Sequence, residues 1–370
     1  MARRRPGLGS VAAALLVLGA CTSEPVVERV SAVVATPVLG NQAMIADDGV
    51  PLPLRAWKAD GRERAVVVAV HGMNDYGMAF ERPARLWALA GITTYAPDQR
   101  GFGEALDRGQ WYGGDRMVQD VLTLARLAQQ RHVGVPVYLL GESMGGAVAI
   151  MAAARAEPGL LSGLVLSAPA VWGTGFRAAV ALDAVMMLGT LAPDATVPPL
   201  RVANPSTDDP AMLRRMREDP LLIHRTRMET LAGIVDLMRD ARAEARKVRV
   251  PTLVMLGDRD QHVPRDGVAA LVRDLPPGTR VALYPNGRHL LMRTLDGAQV
   301  TSDVVAWLSD FRRPLPSGAD ARGQACPGVV ANPRLRCPDV RMAALPKAPP
   351  AAGNEGAGSR LPVPPTAPAR

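Results

Sequence analysis

The sequence predicts an α/β protein built on a mostly parallel, doubly wound sheet with an inserted helical cap. Three observations lead there. Apolar, β-branched runs alternate with helical stretches over residues 65–168 and again over 251–311, the pattern of βαβ units whose strands are buried on both faces. Between the two blocks lie about 80 residues with mainly helical patterning, too many for a loop inside a compact domain. The third is the run Val137-Tyr138-Leu139-Leu140-Gly141-Glu142-Ser143-Met144-Gly145-Gly146, which passes into an Ala-rich segment. It reads as strand, sharp turn and helix with a serine at the turn.

Taken in order, two short alternating runs between Val38 and Trp57 flank Asp47-Asp48-Gly49 and predict a hairpin at the sheet edge. Ala65–Val70 is a fully apolar strand that ends in His71-Gly72-Met73-Asn74-Asp75, a loop at the carboxyl end of a central strand, where open α/β sheets place ligands. A helix over 78–90, a strand over 92–96 and a loop at 97–103 follow. Next come a helix over 115–131, the serine strand and its helix, and a strand over 163–167. After the insertion the sequence predicts a strand over 252–257, an acid-bearing loop, a helix over 265–275, a strand over 280–284 and a closing helix to Phe311.

Inside the insertion, the stretch Phe176–Leu191 carries only Arg177 and Asp183 as charges and includes Met186 and Met187. It predicts a helix suited to roofing an apolar site, with Phe176, Met186 and Met187 as candidate acyl-chain contacts. The plainer reading, which is preferred, is that this face and that of the next helix pack on the main domain. Leu231, Ile234, Val235 and Met238 mark the apolar face of a second helix.

Composition narrows the function. The chain has 370 residues and a formal charge of +8, but Arg3, Arg4 and Arg5 and the last 57 residues hold nearly all of it. The body between them is close to neutral, so no basic surface suited to nucleic acid is expected. Residues 314–370 contain 12 Pro, 6 Gly and no aromatic, which predicts a disordered tail without a core of its own. An Arg-rich start followed by an apolar stretch and small residues before Cys21 is the layout of a signal peptide. Leu18-Gly19-Ala20-Cys21 resembles the lipobox of bacterial lipoproteins. That resemblance implies cleavage before Cys21, a lipid on its sulfur and a membrane-anchored protein facing the periplasm of a bacterial cell envelope. The predicted organisation is therefore a lipoprotein-type signal peptide (1–20), a linker (21–37), a core (38–168 and 251–313), a cap (169–250) and the tail (314–370). Cys326 and Cys337 can pair in an oxidising compartment, and with every His far from them in sequence no metal ligand set is expected.

A serine hydroxyl needs an imidazole to take its proton and a carboxylate to orient that imidazole. On this fold the order is Ser, acid, His. His289, in a Gly-containing loop after the last strand, is the candidate base; His71, His132 and His224 read as satisfied or solvated side chains, and His262 as a loop residue. Asp258 and Asp260 both lie in the loop that must supply the acid. The oxyanion donors expected are the backbone N–H groups of Met144 and Met73.

His71-Gly72, Asp98-Gln99-Arg100-Gly101-Phe102-Gly103, the serine turn, Gly257-x-x-Asp260-x-x-Val263-Pro264, Gly287-Arg288-His289 and, in the cap, Asp219-Pro220-Leu221 resemble the α/β-hydrolase family in its monoacylglycerol lipase and lysophospholipase branch, over about residues 40–312. The resemblance implies the α/β-hydrolase fold and favours Asp260 as the acid. It also implies hydrolysis of a lipid ester through an acyl-enzyme, without cofactor. The lipidated N-terminus and the Pro-rich tail are not part of the family pattern. Two alternatives remain at this level. A prolyl-type aminopeptidase on the same fold calls for an acidic cap pocket, whereas this cap is Arg-rich. A catalytically idle binding lipoprotein sits poorly with an intact Ser, Asp and His set.

Overall fold

The structure, a computed structural model, describes residues 35–173, 185–198 and 205–331. The leader, Cys21, Phe176, Cys337 and the end of the tail lie outside the described residues.

Nine strands form one sheet in the order β1-β2-β3-β5-β4-β6-β7-β10-β11: β1 (Val38–Leu39), β2 (Ala43–Ile45), β3 (Pro51–Trp57), β4 (Ala65–Val70), β5 (Ile92–Pro97), β6 (Val137–Glu142), β7 (Gly163–Ser167), β10 (Thr252–Gly257) and β11 (Arg280–Tyr284). The hairpin strands pair antiparallel, and every pairing from β5 to β11 is parallel. Strands β4, β5, β6, β7 and β10 are buried throughout. The largely apolar sequences of β4, β6, β7 and β10 follow from helices covering both faces.

One face carries α2 (Gly114–Arg131), α3 (Met144–Arg155), α6 (Met228–Glu244) and α7 (Arg265–Asp274). The other carries α1 (Glu81–Leu89) and α8 (Gly297–Ser309). The apolar face expected on the second insertion helix packs on the main domain. In α6 the residues Ile234, Leu237, Met238 and Ala241 join the core cluster with Ala147, Val148 and Met151 of α3. Its apolar face packs on the main domain because a stripe of that width needs a partner surface. What remains of a cap among the described residues is a helical stretch over 185–191 (α4), a two-residue antiparallel pairing of β8 (Thr196–Val197) with β9 (Thr226–Arg227), and α5 (Pro210–Glu218). None of the residues of α5 is fully buried.

The beginning of the tail differs from the prediction. Residues 319–325 and 327–331 form helices α9 (Ala319–Ala325) and α10 (Pro327–Ala331). Leu315 and Ala319 are buried in the cluster on the α8 face, while Cys326 and Val330 are buried in the cluster on the α7 face. The segment therefore straps across the outer edge at β11. At Gly323 a side chain would lie 2.1 Å from the Val281 carbonyl oxygen, so glycine is what lets α9 touch the strand. A Pro- and Gly-rich segment is ordered here because, borrowing a core, it needs only a few apolar contacts, and an exposed edge strand rewards any cover. Cys326 is disulfide-bonded.

Candidate active site

Strand β6 ends at Glu142, and Ser143 turns the chain into α3 with φ 55° and ψ −118°, a backbone state that costs a non-glycine residue about 1–3 kcal/mol. The surrounding glycines make the turn sterically possible. A Cβ at Gly145 would lie 2.0 Å from the Val70 carbonyl oxygen, and one at Gly141 would lie 2.3 Å from that of Gly145. Hydrogen bonds from Ser143 N to Ser167 O (2.9 Å) and from Ala170 N to Ser143 O (2.8 Å) pin the turn to the neighbouring strand. The half-buried serine side chain faces the loops beyond the carboxyl ends of the strands.

Of the predicted residues, the structure brings Ser143, His289 and Asp260 into one hydrogen-bonded chain. His289 Nε2 lies 2.9 Å from Ser143 Oγ, and His289 Nδ1 lies 2.9 Å from Asp260 Oδ2. The imidazole and the carboxylate are nearly out of water, with side chains 8% and 1% exposed. Burial pushes the Asp260 carboxyl up, but the charge and hydrogen bonds of His289 and His262 outweigh it and hold the group well below the usual carboxylate range. The acid therefore stays ionised, as a partner for Nδ1–H must. Asp258 faces Arg322 of α9 instead, at 3.7 Å.

Met144 opens α3, where the first N–H groups have no intrahelical acceptor. The loop bearing Met73 presses on the serine: a Cβ at Gly72 would lie 3.2 Å from the Ser143 Cβ. That loop is held from several sides. His71, fully buried and kept neutral by that burial, donates from Nδ1 to Gly72 O and accepts at Nε2 from Gln99 N at 3.0 Å. Tyr76 donates its hydroxyl to Asp219 Oδ2 at 2.7 Å, and Asn74 donates its amide to Thr226 Oγ1 at 2.7 Å. The His71-Gly72 and Asp219-Pro220-Leu221 motifs thus read as parts of one frame around the serine.

Met186 is half-buried and Met187 is 58% exposed, with Leu188 and Leu191 also at the surface. Met186 and Met187, both candidate acyl-chain contacts, differ in burial because neighbouring residues point about 100° apart on a helix.

Sequence reasoning missed two groups. Arg293, four residues after His289, is buried and donates to Asp75 Oδ2 (2.7 Å) in the Met73 loop and to Glu142 Oε1 (2.5 Å) beside the serine. Its spacing from His289 was the only signal available. His262, two residues from Asp260, stacks on His289 with ring centroids 4.7 Å apart.

A family model described as "Serine aminopeptidase, S33" matches residues 61–296. The chain is 30% identical over 270 residues to the monoacylglycerol lipase of Mycolicibacterium smegmatis, covering 70% of this chain and 93% of that one. To human monoglyceride lipase it is 29% identical over 287 residues, covering 72% and 89%. Among solved structures, a soluble variant of Saccharomyces cerevisiae monoglyceride lipase in complex with a substrate analog superposes with a TM-score of 0.64 at 20% identity, covering 74% of this chain and 96% of that one. The glycine-framed serine at the end of β6 sits within the matched region, and on these matches the chain belongs to the α/β-hydrolase family, in the branch of the monoacylglycerol lipases.

Proposed function

We propose that the protein is a serine hydrolase that cleaves carboxylic esters of single-acyl lipids, monoacylglycerols or lysophospholipids, through an acyl-enzyme. The observation that carries this reading is the unbroken chain from Asp260 through His289 to Ser143, in a protein related along most of its length to monoacylglycerol lipases. Ser143 Oγ attacks the ester carbonyl while His289 Nε2 takes its proton. Asp260 holds the imidazole in the tautomer that leaves Nε2 free and stabilises the imidazolium that forms. The N–H groups of Met144 and Met73 receive the oxyanion. Collapse breaks the acyl–oxygen bond, and His289 returns the proton to the departing alcohol. Water then attacks the acyl-enzyme by the same route, releasing a fatty acid and restoring Ser143.

The half-buried Met186 supports an acyl site under the cap, since a thioether side chain adapts to irregular apolar surfaces. One acyl chain is bound there; each methylene held in the transition state adds about 0.8 kcal/mol, so rates rise with chain length until the site is full. At the other end of the chain, the Leu18-Gly19-Ala20-Cys21 junction supports a lipid anchor at Cys21 and a place in a bacterial cell envelope, facing the periplasm. Fractionation of Cys21→Ser tests that part, with release into the soluble fraction expected and retention on membranes contradicting it. A panel of monoacylglycerols, lysophospholipids, acetate esters and prolyl amides tests the substrate class. The amides are included because the matched family is described by an aminopeptidase; faster cleavage of amides than of any lipid ester overturns the lipase reading.

A further inference from the structure

The imidazole of His289 has a second imidazole lying against it. His262 stacks on it with an interplanar angle of 23°, and the two rings share one carboxylate. Asp260 gives Oδ2 to His289 Nδ1 at 2.9 Å, while its Oδ1 accepts the backbone N–H of His262 at 2.8 Å and lies 3.6 Å from His262 Nδ1. One donor atom from each of the three side chains lies within 4.8 Å of the others. Two imidazoles and a carboxylate are the ligand set that borderline metal ions such as Zn²⁺ take in three-ligand sites.

We propose that His262, His289 and Asp260 form an inhibitory site for a divalent transition-metal ion. A tetrahedral ion with bonds of about 2.1 Å spaces its ligands about 3.4 Å apart, so the His262–Asp260 pair at 3.6 Å already fits, the His289–Asp260 pair at 2.9 Å opens slightly, and only the two imidazole nitrogens, within 4.8 Å of each other, have to close. His262 has room for that movement, because 29% of its side chain is exposed, against 8% for His289 and 1% for Asp260. The exposed ring is also the entry side. Asp260 brings negative charge that stays ionised at neutral pH, and water completes the coordination.

Occupation stops hydrolysis whichever nitrogen of His289 binds. An ion on Nε2 takes the lone pair that accepts the serine proton. An ion on Nδ1 displaces its proton, leaving the neutral ring with N–H at Nε2, which then donates where it must accept. This inference needs only a serine-imidazole hydrolase and is independent of which ester is the substrate.

The test titrates Zn²⁺ into the full-length protein and its His262→Leu and His262→Gln variants, reading the rate on a short p-nitrophenyl ester as a fraction of each protein's own metal-free rate. In parallel, Co²⁺ is titrated into each protein and into Ser143→Ala, reading the visible bands of tetrahedral cobalt, which need no activity. The expected result is wild-type inhibition at micromolar Zn²⁺, reversed by EDTA and weakened by about tenfold or more in both His262 variants, with cobalt bands in wild type and Ser143→Ala that the His262 variants lose. Equal Zn²⁺ sensitivity in wild type and variants, no inhibition of wild type up to about 1 mM, or cobalt bands that survive loss of His262 overturns the site. If a His262 variant lacks a measurable metal-free rate, its cobalt spectrum decides.

Discussion

His289 Nε2 and Ser143 Oγ stand 2.9 Å apart although 146 residues separate them in sequence. The sheet makes that meeting possible. Ser143 stands at the carboxyl end of the central strand β6 and His289 beyond the carboxyl end of the outer strand β11, with Asp260 beyond the intervening β10. Three parallel strands thus deliver the three groups to one end of the sheet.

His289→Ala is expected to lower kcat by on the order of 10⁴-fold or more, with the melting temperature little changed, because members of such a set act as a unit. Asp260→Asn is expected to cost far more than Asp258→Asn, whose carboxylate faces Arg322. Steady-state kinetics on one ester with all three variants checks this; equal losses at 258 and 260 remove Asp260 from its role.

Arg293→Met tests the buried ion cluster. Arg293 holds Asp75 and Glu142 together, with side chains 5%, 9% and 1% exposed. Breaking such a cluster by removing one partner costs about 3–5 kcal/mol. Burial already pushes the Glu142 carboxyl up, against the pull of Arg293, and losing that pull raises it further. A carboxyl raised in the folded state destabilises it as pH climbs through and above its unfolded value of about 4.3. The variant's deficit is therefore expected to be largest near neutral pH and to shrink toward pH 4–5, the acid side of that window. Urea unfolding at several pH values measures it, and a deficit that grows on acidification contradicts the assignment.

Ending the chain after Pro314 tests the edge strap. It removes the buried Leu315, Ala319, Cys326 and Val330 and uncovers β11. Losing a buried Leu and a buried Val alone costs about 3–6 kcal/mol. A lower melting temperature and a greater tendency to aggregate are expected, measured by calorimetry and light scattering. An unchanged melting temperature refutes the view that the strap belongs to the core.

The sheet was legible because its strands are buried on both faces and β-branched, so runs such as Ala65–Val70 stand out without knowledge of their neighbours. Ser143 and His289 were legible for a related reason: the Gly-flanked turn and the loop after the last strand are local signals. Arg293 was not, because a buried arginine shows itself only through partners 151 and 218 residues away in sequence. The tail misled because Pro and Gly content describes what a segment builds alone, and Leu315 and Val330 borrow their core from β11 and its helices. The apolar stripe of α6 was legible from its periodicity, but a stripe serves a lid or a core helix equally well, and its packing against α3 shows only in the fold.

The most direct measurement of the central claim is release of fatty acid from a series of monoacylglycerols by the full-length protein and by Ser143→Ala, followed in parallel with labelling by a fluorophosphonate probe. The account predicts that the wild-type protein is labelled and hydrolyses medium and long monoacylglycerols with a kcat/KM that rises with chain length and exceeds that for acetate esters. Ser143→Ala is predicted to show neither labelling nor turnover. Turnover retained in Ser143→Ala, or a wild-type protein that takes the probe yet cleaves acetyl esters or prolyl amides faster than any monoacylglycerol, would contradict it.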